Sequence, residues 1–156
     1  MRITVIAVGT RMPAWVNQGV AEYSKRLPRE WKLLWREIPL ARQGRETAGA
    51  QLCAAQGEHI LKGIPAGERV IALDVAGKRL ATQELAQQLG SWQMTGDNYS
   101  FLIGGPDGLS APCLARADLC WSLSDLTLPH PLVRVLLVEQ LYRAWTITVN
   151  HPYHRA

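Results

Sequence analysis

Between Leu132 and Val149 the chain reads as one helix with apolar side chains on most of its sides: Leu132, Val133, Val135, Leu136, Leu137, Val138, Leu141, Tyr142, Trp145 and Ile147. A helix with one apolar stripe needs one neighbour, whereas a helix apolar all round is buried on more than one face. In a chain of 156 residues that much helix is expected to pack against the chain's own sheet and against a second copy, so a homodimer is expected. Glu139 stands four residues before Arg143, the favourable order for an ion pair on a helix.

The stretch that leads into this helix, SLSDLTLPHPLVR from Ser122 to Arg134, reads as a strand end, an irregular loop and a helix start. Pro129 and Pro131 each fix their own φ and push the preceding Leu128 and His130 away from the helical region. Pro131 fits the first helical turn, where its missing N–H costs nothing. Such a stiff loop between a buried strand and a buried helix is well placed to hold a ligand.

Upstream, short apolar runs alternate with helical stretches. Ile3 to Val8, Lys32 to Ile38, Arg69 to Asp74, Tyr99 to Ile103 and Cys120 to Leu123 read as strands. Pro13 opens a helix carrying Trp15, Val16, Val20 and Tyr23, and a further helix is expected near Ala50 to Lys62. Thr82 is expected to cap a helix running through Trp92, with Glu84 in its first turn, and Ser110 to cap a short helix ending near Asp118. This alternation argues a single α/β domain over residues 1–156 with a mainly parallel sheet.

No run approaches the roughly 20 apolar residues of a membrane span, and residues 1–9, MRITVIAVG, are too short and strand-like for a signal peptide. Cys53, Cys113 and Cys120 form no CxxC pair, which suits a reducing compartment and argues against a disulfide framework or a zinc site. A cytoplasmic location is therefore expected. Residues 1–50 hold nine Lys or Arg against four acids, and residues 51–156 eight against nine. That basic surplus suggests a polyanion, nucleic acid first, although a solvated basic face would look the same. Arg42 and Arg45 fall in a polar segment, ARQGRETAG, which reads as a mobile loop.

Parallel α/β sheets bind ligands at the carboxyl ends of their strands. Three ends are distinctive here: Leu73-Asp74, Gly104-Gly105 in the string GGPDG, and the run after Leu123. Neither GxGxxG nor GxxxxGK[ST] occurs, which argues against those dinucleotide and triphosphate sites. Spacing announces no Cys–His or Ser–His–acid arrangement, and His151 and His154 have no local carboxylate or thiol to complete a metal site. The tail Asn150 to Arg155, NHPYHR, combines a ring, two imidazoles and a guanidinium. It would suit stacking on a base, phosphate contact and proton transfer, or it is surface decoration.

LIGGPDGLS (Leu102 to Ser110), LSDLTLPHPLVRVLLVEQLYRAW (Leu123 to Trp145), the terminal NHPYHR and the N-terminal Val8 to Val16 together resemble the RlmH family. Its members are bacterial methyltransferases acting on N3 of a pseudouridine in large-subunit (23S) ribosomal RNA. The resemblance runs from the first strand to the tail and implies a SPOUT α/β fold with a C-terminal trefoil knot, an exception to the rule of unknotted chains. It implies S-adenosylmethionine as cofactor, held at Leu73, Gly104, Gly105, Leu123, Ser124, Asp125, Leu126, Thr127 and Leu128. It also implies a homodimer in which the tail of one subunit completes the other's site, with His154 as proton acceptor, Tyr153 against the base and Arg155 on negative charge. Arg143 and His130 are rival candidates, and Arg11, Lys25, Arg26, Arg29, Arg42 and Arg45 are candidates for ribosomal RNA phosphates, on free RNA, a subunit or the assembled ribosome. No metal and no membrane partner are expected. The competing readings are a knotted methyltransferase for another RNA base and a non-catalytic ribosome-binding protein.

Overall fold

A computed structural model of the chain describes residues 1–40 and 49–154. In chain order it contains β1 (Arg2–Val8), α1 (Ala14–Ser24), β2 (Lys32–Ile38), α2 (Gly49–Gly63), β3 (Arg69–Arg79), α3 (Thr82–Thr95), β4 (Tyr99–Ile103), α4 (Ala111–Arg116), β5 (Leu119–Ser122), α5 (His130–Thr148) and a terminal 3₁₀ turn, Pro152–His154. The five strands form one sheet in the order β2-β1-β4-β3-β5, and every pairing between them is parallel.

Strand periodicity divides the core between the two faces of this sheet. Ile3, Val5 and Ala7 of β1, Tyr99, Phe101 and Ile103 of β4 and Ile71 of β3 face one way, where they bury Leu85 and Leu89 of α3 and Leu137, Val138 and Leu141 of α5. Ile6, Val8, Val70, Ala72 and Leu102 face the other way, onto Ile60 of α2 and Cys113 of α4. α5 packs between α1 and α3. β1 and β4, in the middle of the sheet, are short and almost wholly buried apolar runs because both their faces are covered, whereas the edge strand β2 is half exposed.

Several expectations need correcting. Thr82 does not cap α3: Ala81 occupies that position, the Glu84 carboxylate accepts its N–H at 3.0 Å, and the Thr82 hydroxyl instead donates to Gln140 of α5 at 3.0 Å. β3 runs five residues past Asp74, to Arg79, with a break in register between Leu73 and Lys78. Gly77 belongs to that break, where a Cβ would stand 2.7 Å from the backbone carbonyl of Cys120. It is thus a point of close backbone approach within a strand and not the turn that ends one. Trp15 is 54% exposed, because Val16 and Val20 take the inner face of α1 and Trp15 lies about 100° round the helix from Val16. α5 begins at His130, with Pro129 as its N-cap residue, so the loop is shorter than the two prolines suggest.

Candidate methyl-donor cleft and C-terminal tail

The carboxyl ends of β3, β4 and β5 open into a cleft of about 620 Å³, within the size range of small-molecule sites. β3 contributes Leu73, Asp74 and Val75, β4 leads in with Ile103, Gly104 and Gly105, and β5 with Trp121 to Ser124. Leu126 to Pro129, then His130 and Val133 of α5, close the wall. Eight of the nine cofactor candidates from the sequence therefore share one cavity: Leu73, Gly104, Gly105, Leu123, Ser124, Leu126, Thr127 and Leu128. The ninth, Asp125, is exposed and pairs with Arg79 outside the cleft.

The glycines are required by space. A Cβ on Gly104 would lie 2.5 Å from the carbonyl carbon of Gly108, and one on Gly105 2.9 Å from Val8 Cγ1. The turn between them is closed by the Gly108 N–H donating to Gly105 O at 3.0 Å. In the loop after β5, the Ser122 hydroxyl donates to Ser124 O and the Leu126 N–H to Ser124 Oγ, both at 2.9 Å. Among the described residues the N–H groups of Thr127 and Leu128 meet no acceptor, which leaves two donors at the cleft wall. The cleft is lined mainly by apolar side chains, and among the described residues Asp74 is the one carboxylate in its wall. Burial, and then the nearby Arg134 charge, push the His130 imidazole below its ordinary value of 6.5.

The tail lies elsewhere. Tyr153 packs its ring on Tyr142 at 4.6 Å between centroids and donates its hydroxyl to Glu139 at 3.0 Å. Arg143 stands 4.9 Å over the Tyr153 ring and pairs with Glu139 at 2.7 Å, the ion pair expected from their spacing. Burial, and then the hydrogen bond to Glu139, push the Tyr153 phenol up to about 12, so it is a neutral donor at physiological pH. His154 lines a separate cavity between α3 and the end of α5, with Thr82, Gln83, Arg143 and Thr148, and its buried Nδ1 meets no hydrogen-bond partner among the described residues. His130 and Thr148 mark the two ends of α5, 18 residues apart, or about 27 Å at 1.5 Å per residue. Tyr153 and His154 fold back along α5, and neither lines the cleft.

Of the basic candidates, Lys25 and Arg26 both pair with Glu22, and Arg26 also lies over Tyr23 at 5.4 Å. Arg11 and Arg29 are exposed. Arg42, Arg45 and Arg155 lie outside the described residues. Among the described residues there is no cluster of three or more His, Cys, Asp or Glu able to hold a metal ion, and no helix long and apolar enough to cross a membrane. The sequence reading missed Arg134. It looked like a polar residue of a long helix, yet it is 3% exposed and reaches the far ends of β1 and β2.

Comparison with known proteins agrees with this architecture. A family model described as "Predicted SPOUT methyltransferase" matches residues 1–154. A protein of Saccharophagus degradans named Ribosomal RNA large subunit methyltransferase H is 59% identical over 155 residues, covering 99% of this chain and 100% of that one. The protein of the same name from Hahella chejuensis is 55% identical, covering 99% of each. A solved structure described as a probable methylase family protein from Haemophilus influenzae Rd KW20 superposes with a TM-score of 0.56 at 13% identity, covering 99% of this chain and 70% of that chain. At that identity the likeness speaks for the fold alone.

Proposed function

The chain belongs to the SPOUT methyltransferase family, and on that premise we propose that it is an S-adenosylmethionine-dependent enzyme methylating N3 of a pseudouridine in the 23S ribosomal RNA of the large subunit. The observation that carries this reading is the convergence of eight sequence-derived residues from three strand ends and one loop on a single cleft. Full-length relatives at 59% and 55% identity carry the name of a large-subunit ribosomal RNA methyltransferase. The proposal includes a trefoil knot formed by the cleft loops, a homodimer, and action in the cytoplasm.

The residues fit the cofactor. Gly104 and Gly105 let backbone approach where a Cβ would collide. Leu73, Leu123 and Leu128 offer apolar surface, Thr127 and Leu128 offer backbone donors, and Asp74 complements positive charge. When bound, S-adenosylmethionine supplies a methyl group on a sulfonium. The protein's share of catalysis is then chiefly positioning, because nitrogen, methyl carbon and sulfur must lie in line.

Loss of the weakly acidic N3–H makes that nitrogen a better nucleophile, and His154 of the tail is the proposed acceptor of its proton. The neutral, Glu139-bonded Tyr153 is unsuited to that role. Its contacts suit it to anchoring the tail, with Arg155 assigned to negative charge. Because His154 lines a cavity that shares no described residue with the cleft, the tail is assigned to the partner's cleft. Mass spectrometry of ribosomal RNA from a strain lacking the gene tests the reading. The pseudouridine should lose its methyl group and regain it when the gene is restored, and an unchanged modification pattern refutes the substrate.

A further inference from the structure

Arg134 is 3% exposed. Its Nη1 donates to Glu37 Oε2 at 2.6 Å and its Nη2 to Gly9 O at 2.8 Å, joining α5 to the carboxyl ends of β2 and β1 across about a hundred residues of sequence. Among the described residues, the bonds of Arg134 are the only hydrogen bonds found between the first two turns of α5 and the rest of the protein, apart from the Leu132 and Val133 N–H groups donating to the adjacent Pro129 O. Those turns carry His130 and Val133 of the cleft wall, and Pro129 enters them without a side-chain cap. Gly9, whose φ of +112° favours glycine, lies in contact range of the same groups: a Cβ there would stand 3.1 Å from Met12 Cε, 3.4 Å from His130 Cε1 and 3.6 Å from Arg134 Nη2.

Stability alone is a poor reason for this arrangement. A buried ion pair is often no more stabilising than apolar residues of the same volume, and Nε of Arg134 is buried without a partner. What the guanidinium provides is fixed geometry, because its planar fork meets two acceptors from two strands at once.

We propose that Arg134 is a positioning residue of the methyl-donor cleft: its fork holds the first turns of α5, and with them His130 and the end of the loop from Leu123 to Pro129, at a set distance from the ends of β1 and β2. This rests on the reading of the cleft given above. Glu37 is the accessory partner, its side chain 41% exposed, so its replacement leaves a site that water can enter.

Calorimetry with S-adenosylmethionine on the full chain tests it, with Arg134→Met, Arg134→Lys, Glu37→Ala and the far-face core variant Ile60→Val compared by thermal melting. Arg134→Met should weaken binding about tenfold or more, with Arg134→Lys failing to restore it. Glu37→Ala should weaken it in the same direction, and Ile60→Val should melt earlier yet bind normally. In Arg134→Met the His130 imidazole, followed by NMR, should titrate nearer its ordinary value. Should Arg134→Met not fold, Glu37→Ala decides. A wild-type chain that binds with unweakened Arg134 or Glu37 variants overturns the role of Arg134 alone. A wild-type chain that binds no S-adenosylmethionine overturns the reading of the cleft and this role with it.

Discussion

Replacing Gly104 with alanine tests the cleft at its tightest point. The new Cβ would stand 2.5 Å from the Gly108 carbonyl carbon, 2.7 Å from its oxygen and 2.9 Å from Leu109 N, all backbone atoms that no rotamer change can move. Carbon atoms settle at about 3.5–4.0 Å, so the turn from Gly104 to Leu109 must open by roughly 1 Å. Overpacking of this kind costs about 1–3 kcal/mol, and each kcal/mol lowers the melting temperature of a chain this long by about 2–4 °C. The expected loss is therefore about 2–12 °C, a folded protein at room temperature. Function should suffer far more, because a 1 Å misplacement costs on the order of a hundredfold in rate. Gly90→Ala is the control: it lies inside α3 with nothing within 4 Å of the added Cβ, and should gain about 0.5–1 kcal/mol. Calorimetry with S-adenosylmethionine, scanning calorimetry and methyl transfer to ribosomal RNA give the three readouts. If Gly104→Ala binds the cofactor and transfers methyl groups like Gly90→Ala, then the glycine cradle does not hold the methyl donor.

The tail should act in trans: a Gly104→Ala chain and a His154→Ala chain, each inactive alone, should recover methyl transfer when co-expressed, since a mixed dimer keeps one intact cleft beside one intact tail. Tyr153 has a folded value of about 12 against an ordinary 10, so its contribution to stability is complete below pH 10 and is lost as pH rises through about 12. Ultraviolet titration of tyrosinate should lose its latest step in Tyr153→Phe and shift it downward in Glu139→Gln. His130 is shifted the other way, so its contribution is present above pH 6.5 and is lost as pH falls through the lower folded value. Thermal melts at neutral and mildly acidic pH should show a flatter acid-side decline in His130→Asn than in the wild type.

Lys32–Ile38 and Tyr99–Ile103 were legible to the residue because Pro39 and Gly104 stand directly after them, whereas Gly77 gave β3 a false end. The cleft was legible in outline because glycines and prolines at strand ends are local signals. Contacts between distant segments left no such trace. Arg134 meets Glu37 at a separation of 97 residues and Gly9 at 125, and nothing in its own neighbourhood marks it as buried. Asp125 pairs with Arg79 of β3, a contact that its own stretch of sequence does not announce. The fault at Thr82 is similar, since its hydroxyl had a partner on α5 that local capping rules do not see.

The long apolar helix now has a second function besides filling the core. Its first turn lends His130 and Val133 to the cleft, whereas Arg143, Ile147 and Thr148 near its other end line the cavity that holds His154. The two cavities share no described lining residue, so under the proposed mechanism His154 does not serve the cleft of its own chain. α5 buries Leu137, Val138 and Leu141 against its own sheet, while Leu132, Val135 and Leu136 beside the cleft stay partly exposed. A symmetric pair places the same patch against itself, and two α5 helices crossing antiparallel near their first half would cover these residues on both copies. The same crossing carries the tail end of each helix toward the cleft end of the other. In the proposed dimer, one contact would then both cover the helix and bring the tail of one copy toward the cleft of the other.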